Sequence, residues 1–304
     1  KKDVTWTITN RVDWTKTFAV NHTISFLLGQ EASKSRYDFV QAEAVNFLAG
    51  NNDNLRASAT PNTTDSYFTE KTFTSYFSRL NYDFENRYYL DLSFRRDGSS
   101  VFGPESKWGN FWSVGATWRV SEEGFLYDVK WLTDLKLRAS YGTSGNDRIG
   151  RYPWQGLYGY GYNYEGEAGM SYNQLANESL HWEANKIMNI GLEIRLLDRI
   201  DLEIDYYDRQ SEELLFNAPL SMTTGFESVM SNLASMRNSG FEVTINSTNM
   251  AKDKFRWTTN FNITLNKNEI ISMNQDAVIN GSKRWRVGSD LYQFYIQEYA
   301  GEIL

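Results

Sequence analysis

Cysteine is absent from the 304-residue chain. That excludes a disulfide framework, thiol catalysis, cysteine-held zinc and iron–sulfur clusters. Histidine is nearly absent: His22 and His181 lie far apart and form no metal motif, and no Ser/His/Asp arrangement is readable. No run approaches the ~18 apolar residues of a membrane-spanning helix. A basic excess is missing too. Thirty-one Lys and Arg face 38 Asp and Glu, a net charge of −7, whereas a nucleic-acid binder needs a basic face to displace counterions. There is no signal peptide ahead of Lys1, which reads as a mature fragment or a piece of something longer. Proline numbers only 4, while aromatic residues make up 15%. Scarce proline with abundant aromatics favours paired strands over helix or disorder.

The dominant period is two. Val4, Trp6, Ile8 and Val12 alternate with polar residues, and so do Phe18, Val20, Ile24, Phe26 and Leu28. The pattern recurs over Tyr76–Phe84, Tyr88–Phe94, Trp112–Val120, Leu135–Tyr141, Met188–Leu196, Ile200–Tyr206, Phe241–Ile245 and Phe255–Leu265, with a weaker strand over Leu291–Tyr299. That gives about eleven strands, most of about ten residues, the length a tilted strand needs to cross a bilayer. A polar mean hydropathy does not contradict this, because alternation averages to polar.

Connections alternate in length. Short ones are expected at Asp13–Thr17, Glu85–Arg87, Leu197–Arg199 and Asn246–Lys254, and a medium one at Ser121–Thr133 with a helical turn capped by Ser121. Long ones are expected at Glu31–Glu70, Asp97–Gly109, Gly145–Glu183, Glu213–Ala234 and Lys267–Asp290. The fold class is therefore all-β: an antiparallel up-and-down transmembrane β-barrel with short inner turns and long outer loops. A soluble sandwich has shorter strands, and a propeller has a repeat of roughly forty residues that is not found. An odd count with two open edges cannot face lipid, so the whole of 1–304 reads as an internal segment of a larger barrel. The apolar face carries Trp6, Tyr82, Phe84, Tyr88, Trp112, Trp118, Tyr141, Phe255 and Trp257 near strand ends, as interfacial girdles do.

Certain stretches resemble a known family. RLNYDFENRYYLDLSFRRDGSSVFGPESKW (Arg79–Trp108), WRVSEEGF (Trp118–Phe125), LKLRASYGTSGN (Leu135–Asn146), HWEANKIMNIGLEI (His181–Ile194) and RNSGFEVTI (Arg237–Ile245) resemble the SusC/RagA-type TonB-dependent transporters of Bacteroidetes outer membranes. WTTNFNITLNKN (Trp257–Asn268) and VGSDLYQFYIQEYAG (Val287–Gly301) extend the resemblance. It implies a barrel of about 22 strands around an N-terminal plug, with uptake driven by TonB from the inner membrane. It also implies a SusD-like surface lipoprotein as a lid. Plug, TonB box and final strands are not seen in this segment.

Two sets of residues are candidates for function. The loop Tyr152–Tyr172 holds Trp154, Tyr158, Tyr160, Tyr162 and Tyr164 among glycines. Tyr and Trp offer flat apolar faces with a polar tip, suited to sugar rings or peptides; the alternative is packing against other loops or the lid. On the polar face, Arg95, Arg138, Asp201, Glu203 and Asp205 are expected to face the lumen or the plug. The Asp201–Glu203–Asp205 row could in principle do acid–base work, but a solvated wall gives no burial to raise a carboxyl pKa, and the chain reads as no enzyme, with no cofactor. The reading is an importer of oligosaccharides or oligopeptides in the outer membrane. A siderophore or vitamin receptor and a non-transporting adhesin barrel are the rivals.

Overall fold

The structure is a computed structural model that describes residues 1–47, 54–299 and 301. Residues 48–53 of the expected Glu31–Glu70 connection, residue 300 of the Val287–Gly301 stretch, and 302–304 lie outside the described residues. In chain order the strands are β1 (Lys2–Phe18), β2 (His22–Phe47), β3 (Ser58–Phe84), β4 (Tyr88–Ser99), β5 (Trp108–Arg119), β6 (Leu132–Asn146), β7 (Leu157–Tyr164), β8 (Glu167–Gln174), β9 (Glu183–Leu196), β10 (Ile200–Pro219), β11 (Ser228–Lys252), β12 (Phe255–Met273), β13 (Val278–Asn280) and β14 (Lys283–Trp285). No α-helix occurs among the described residues.

Ten strands form one sheet in the order β1-β2-β3-β4-β5-β6-β9-β10-β11-β12. Every neighbouring pair is antiparallel. This is an up-and-down meander: barrel wall that does not close on itself among the described residues. The hairpin β7-β8 is inserted between β6 and β9, and β13-β14 follows β12.

One face of the sheet is apolar and uncovered. Val12 is 69% exposed and Leu265 62%, far from the burial of a soluble core and suited to contact with lipid tails. The register places Phe18, His22, Phe84, Tyr88 and Trp118 side by side at the short-turn end. Their rings stack in a row: Phe18–His22 at 5.5 Å, His22–Phe84 at 4.6 Å, Phe84–Tyr88 at 6.1 Å and Tyr88–Trp118 at 6.4 Å. Near the other end Trp108 stacks on Tyr76 at 6.3 Å. Trp108 and Trp118 lie about 33 Å apart along β5 at ~3.3 Å per residue. A tilt of ~40° reduces this to roughly 25 Å, the height of an outer-membrane apolar band.

The ten strands sit where the period-two pattern puts them, but several boundaries differ from expectation. Asp13–Thr17 is not a turn. The β1–β2 ladder continues through Lys16↔Ile24 to Phe18↔His22, and the chain reverses at residues 19–21. Asp13, Thr15 and Thr17 look like turn residues only because they form the polar face of a strand whose other face carries Val12, Trp14 and Phe18. The Glu31–Glu70 connection is mostly strand: β2 runs for 26 residues, about 85 Å of chain at ~3.3 Å per residue. That is far beyond the apolar band, so β2 and β3 project as a paired ribbon. β10 and β11 likewise extend into the Glu213–Ala234 connection, and β11 runs through to Lys252. Leu291–Tyr299 is not a strand of the sheet. Its backbone turns to the β13-β14 hairpin instead, through the Lys283↔Phe294 bridge and Tyr295 N–H donating to Ser282 O. The turn at Val120–Glu122 begins after Arg119, with no side-chain cap. Ser121 donates instead to Asp134 Oδ1 at 3.0 Å.

Three of the short reversals close as three-residue loops, at residues 19–21, 85–87 and 197–199. Glu85 and Asn86 (φ 57° and 55°) and Leu197 and Asp198 (φ 51° and 55°) are left-handed pairs. That is the geometry of a type I′ turn, whose twist matches the strands it joins. At the third reversal Val20 has φ 64° and is 90% exposed. A β-branched residue there carries strain of about 1–2 kcal/mol. Val20→Asn is therefore expected to raise unfolding stability by up to about 1 kcal/mol, read as a higher unfolding midpoint of the full-length protein in detergent. A lowered midpoint would remove the strain argument.

Candidate functional site

On the polar face the register brings Lys136, Glu193 and Glu203 into one row and Arg138, Gly191 and Asp205 into the next. Arg138 reaches all three neighbouring carboxylates: Glu193 at 2.9 Å, Glu203 at 2.7 Å and Asp205 at 2.9 Å. It crosses β9 at Gly191. A Cβ on that residue would lie 2.3 Å from Asp205 Oδ1 and 2.9 Å from Arg138 Nε. Lys136 pairs with Asp134 at 2.9 Å, and Asp201 with Arg195 at 2.6 Å. The Asp201–Glu203–Asp205 row is thus taken up in ion pairs that tie β6, β9 and β10 together. The Arg138 and Lys136 pairs are partly exposed, so each contributes on the order of 1 kcal/mol or less.

Arg95 lies on the same face of β4 as Asp91, two strand steps along. Its guanidinium donates to Asp97 at 2.7 Å and sits over the rings of Phe73 and Phe77, at 5.8 and 5.5 Å. Arg96, on the other face, lies 5.2 Å over Trp108. Neighbouring arginines therefore serve opposite sides of the wall, as a strand's alternation requires.

The sequence-specific motifs meet at one end of the sheet. Val101 and Phe102 of the RRDGSSVFG stretch are fully buried, against Leu180, Trp182 and Phe111. Phe102 packs 4.8 Å from Trp182, whose indole N–H donates to Lys107 O at 3.0 Å. A Cβ on Gly103 would lie 2.6 Å from Glu178 O, so only glycine allows that approach. This cluster anchors the connection that carries the aromatic loop.

Trp154 packs against the cluster and donates its indole N–H to Ser100 O at 3.3 Å. Arg151 donates to Ser35 O and Thr69 O at 3.1 and 3.0 Å, and the Tyr152 hydroxyl accepts from Glu70 N–H at 2.7 Å. The root of the loop is thus strapped to the β2–β3 ribbon. From it rises the β7-β8 hairpin. Tyr158 sits 4.4 Å from Tyr172, whose hydroxyl raises the Tyr158 phenol above its ordinary pKa. Tyr160 and Tyr164 are 82% and 76% exposed, and Tyr162 is half-exposed. The structure therefore brings Tyr158, Tyr160, Tyr162 and Tyr164 together on one hairpin and places Trp154 at its foot. Arg151 and Gly191 escaped the sequence reading. Neither has a local signal, since each acts on a strand distant in the chain.

Away from these sites, the carboxyl of Glu123 accepts from Tyr88 and from the Trp118 indole at 3.0 Å, which holds it below the usual carboxylate range. His22 lies in the aromatic row, and His181 is 3.6 Å from Glu213.

The family model described as TonB dependent receptor-like, beta-barrel, matches residues 2–296. TonB-dependent receptor P39 of Formosa agariphila is 33% identical over 293 residues, covering 94% of this chain and 28% of that protein. TonB-dependent receptor SusC of Bacteroides thetaiotaomicron is 38% identical over 216 residues, 68% of this chain and 22% of that protein. The RagAB peptide transporter structure superposes with a TM-score of 0.93 at 29% identity, covering 99% of this chain and 34% of that one. The chain spans less than a third of the length of the curated relatives it matches.

Proposed function

The chain belongs to the TonB-dependent receptor-like β-barrel family, and from that premise we propose that it is outer-membrane barrel wall of an importer of oligosaccharides or oligopeptides. The observation that carries this reading is the two-sided wall. One face is an uncovered apolar belt between aromatic rows, and the other is polar and laced with ion pairs. A bilayer covers the first. The second lines a wet or plugged lumen, where Arg95, Arg138, Asp201, Glu203 and Asp205 meet the plug. The wall binds and conducts rather than catalyses, and it works with a SusD-like surface lipoprotein as lid and the TonB complex as the source of energy. The likeness to SusC and to the RagAB peptide transporter supports this assignment over the siderophore and adhesin readings.

In this reading the tyrosine hairpin meets substrate at the outer mouth, with Tyr158, Tyr160, Tyr162 and Tyr164 presenting their rings and Trp154 holding the foot. Each aromatic contact is worth about 0.5–1.5 kcal/mol. Replacing Tyr160, Tyr162 and Tyr164 together by serine in the full-length protein is therefore expected to cut substrate capture by about tenfold or more. Barrel assembly, read by heat-modifiable gel mobility, stays intact because these rings are exposed. Unchanged uptake would reassign the hairpin to contact with the lid.

A further inference from the structure

Beyond β12 the chain folds back over the outer ends of β10, β11 and β12. Ile270 N–H donates to Ser289 O at 2.9 Å, Gly288 N–H to Ile270 O at 2.8 Å, and Leu291 N–H to Asn268 Oδ1 at 2.8 Å. Under this fold lies a cavity of about 230 Å³, lined by Leu214, Phe216, Met236, Ile270, Trp285 and Leu291 among others. Its place on the wall follows from the register. Met236 alternates along β11 with Asn238, Gly240 and Glu242 on the polar face, and it stands opposite Ile270. The cavity therefore belongs to the polar side of the wall, at the end away from the short turns.

We propose that this cavity is a binding pocket for an apolar side chain, aryl or branched aliphatic, carried by a peptide. This deepens the importer reading and rests on it. The lining is almost wholly carbon. Trp285 contributes a ring whose one polar atom is already committed, its indole N–H donating to Leu291 O at 2.9 Å. That ring stands edge-on to Phe216 at 5.2 Å. A sugar ring placed here would find only the amides of Asn274 and Gln275 for its several hydroxyls and would leave most of them without partners, at a cost that apolar contact does not offset. Size agrees with the chemistry: a ~150 Å³ apolar cavity holds benzene, so this one accommodates a phenyl to indole group. Met236 and Met273 give its walls the adaptability to take several such groups. Asn274 and Gln275 also line the cavity, are exposed, and have no hydrogen-bond partner among the described residues. They are free to bond the main-chain amides of a peptide whose side chain is inserted.

The test uses the full-length protein purified in detergent and three probes: acetyl-Gly-Phe-Gly-amide, acetyl-Gly-Ser-Gly-amide and maltotriose. Affinities are measured by saturation-transfer NMR titration. The phenylalanine probe is expected to bind at least tenfold tighter than the other two. Met236→Phe and Ile270→Phe, which fill the cavity from different strands, are each expected to abolish that preference. Heat-modifiable mobility identifies a variant that fails to fold, and the other then decides. Equal affinity for all three probes, or a preference that survives filling, overturns the pocket. Uptake of labelled peptides by cells is scored separately. Import without side-chain preference overturns the pocket and leaves the importer standing. Side-chain preference without import does the reverse.

Discussion

Replacing Phe102 by alanine is expected to cost about 3–5 kcal/mol, the range for removing a fully buried aromatic ring. Phe102 has no exposed surface, and it packs on Trp182, which in turn meets Phe111 at 5.4 Å. Few side chains in the described residues are buried so completely, because a barrel wall has no central core of its own. The loss is therefore felt locally. Val101, Leu180 and Trp154 share the same cluster, so the connection from Asp147 to Leu180 loosens while the sheet remains. Limited proteolysis and hydrogen exchange should report faster cleavage and exchange over that connection, together with a lower unfolding midpoint. Phe125→Ala is the control. That ring is 71% exposed in the connection after β5, and its removal is expected to change stability by no more than about 0.5 kcal/mol. Equal effects of the two substitutions would mean that the cluster contributes nothing particular.

The second large effect is expected at Gly240. A Cβ there would lie 2.1 Å from the Leu265 carbonyl oxygen and 2.8 Å from the Tyr207 hydroxyl, which itself donates to Asn266 at 2.8 Å. The obstacle is backbone of the neighbouring strand. It cannot withdraw without disturbing the β11–β12 ladder, so Gly240→Ala is expected to cost about 1–3 kcal/mol or more. Gly191 makes a useful contrast. Its Cβ would meet the ends of Asp205 and Arg138, and side-chain ends can swing aside. Gly191→Ala is therefore expected to spare assembly and to separate Arg138 from Asp205, at a cost of under about 1 kcal/mol for a partly exposed pair. Unfolding midpoints of the two variants in the full-length protein decide the matter. A Gly191→Ala loss as large as that of Gly240→Ala would refute the distinction between backbone and side-chain obstacles.

The transmembrane part of the fold was legible because lipid and a polar interior impose opposite demands on alternate residues. Tyr82, Leu90, Trp112, Leu137 and Ile190 could be assigned to one face from period alone, and their strands are where the period puts them. Outside that zone the demand disappears. Residues of β2 beyond Glu31 and of β3 before Glu70 are paired backbone to backbone, yet they carry no alternation of apolar and polar side chains. Backbone hydrogen bonding is common to all residue types, so the sequence records nothing of it there. The Leu291–Tyr299 stretch misled for a related reason: it has strand-like residues, but its backbone partners belong to the β13-β14 hairpin.

The site divides the same way. Composition and alternation alone determined that Arg138, Glu203 and Asp205 share a polar face and that tyrosines crowd one loop. They also determined an all-β barrel wall, and the lack of cysteine excluded thiol chemistry in it. Only the tertiary structure decided that one guanidinium serves three carboxylates across Gly191. It also decided that Trp154 packs at the foot of the hairpin with its indole N–H on Ser100 O, and that an apolar cavity closes under Trp285. The physical reason is register. Which residues stand opposite each other depends on turn length and on the way the strands slide past one another. That is a relation between distant parts of the chain, and no local pattern encodes it.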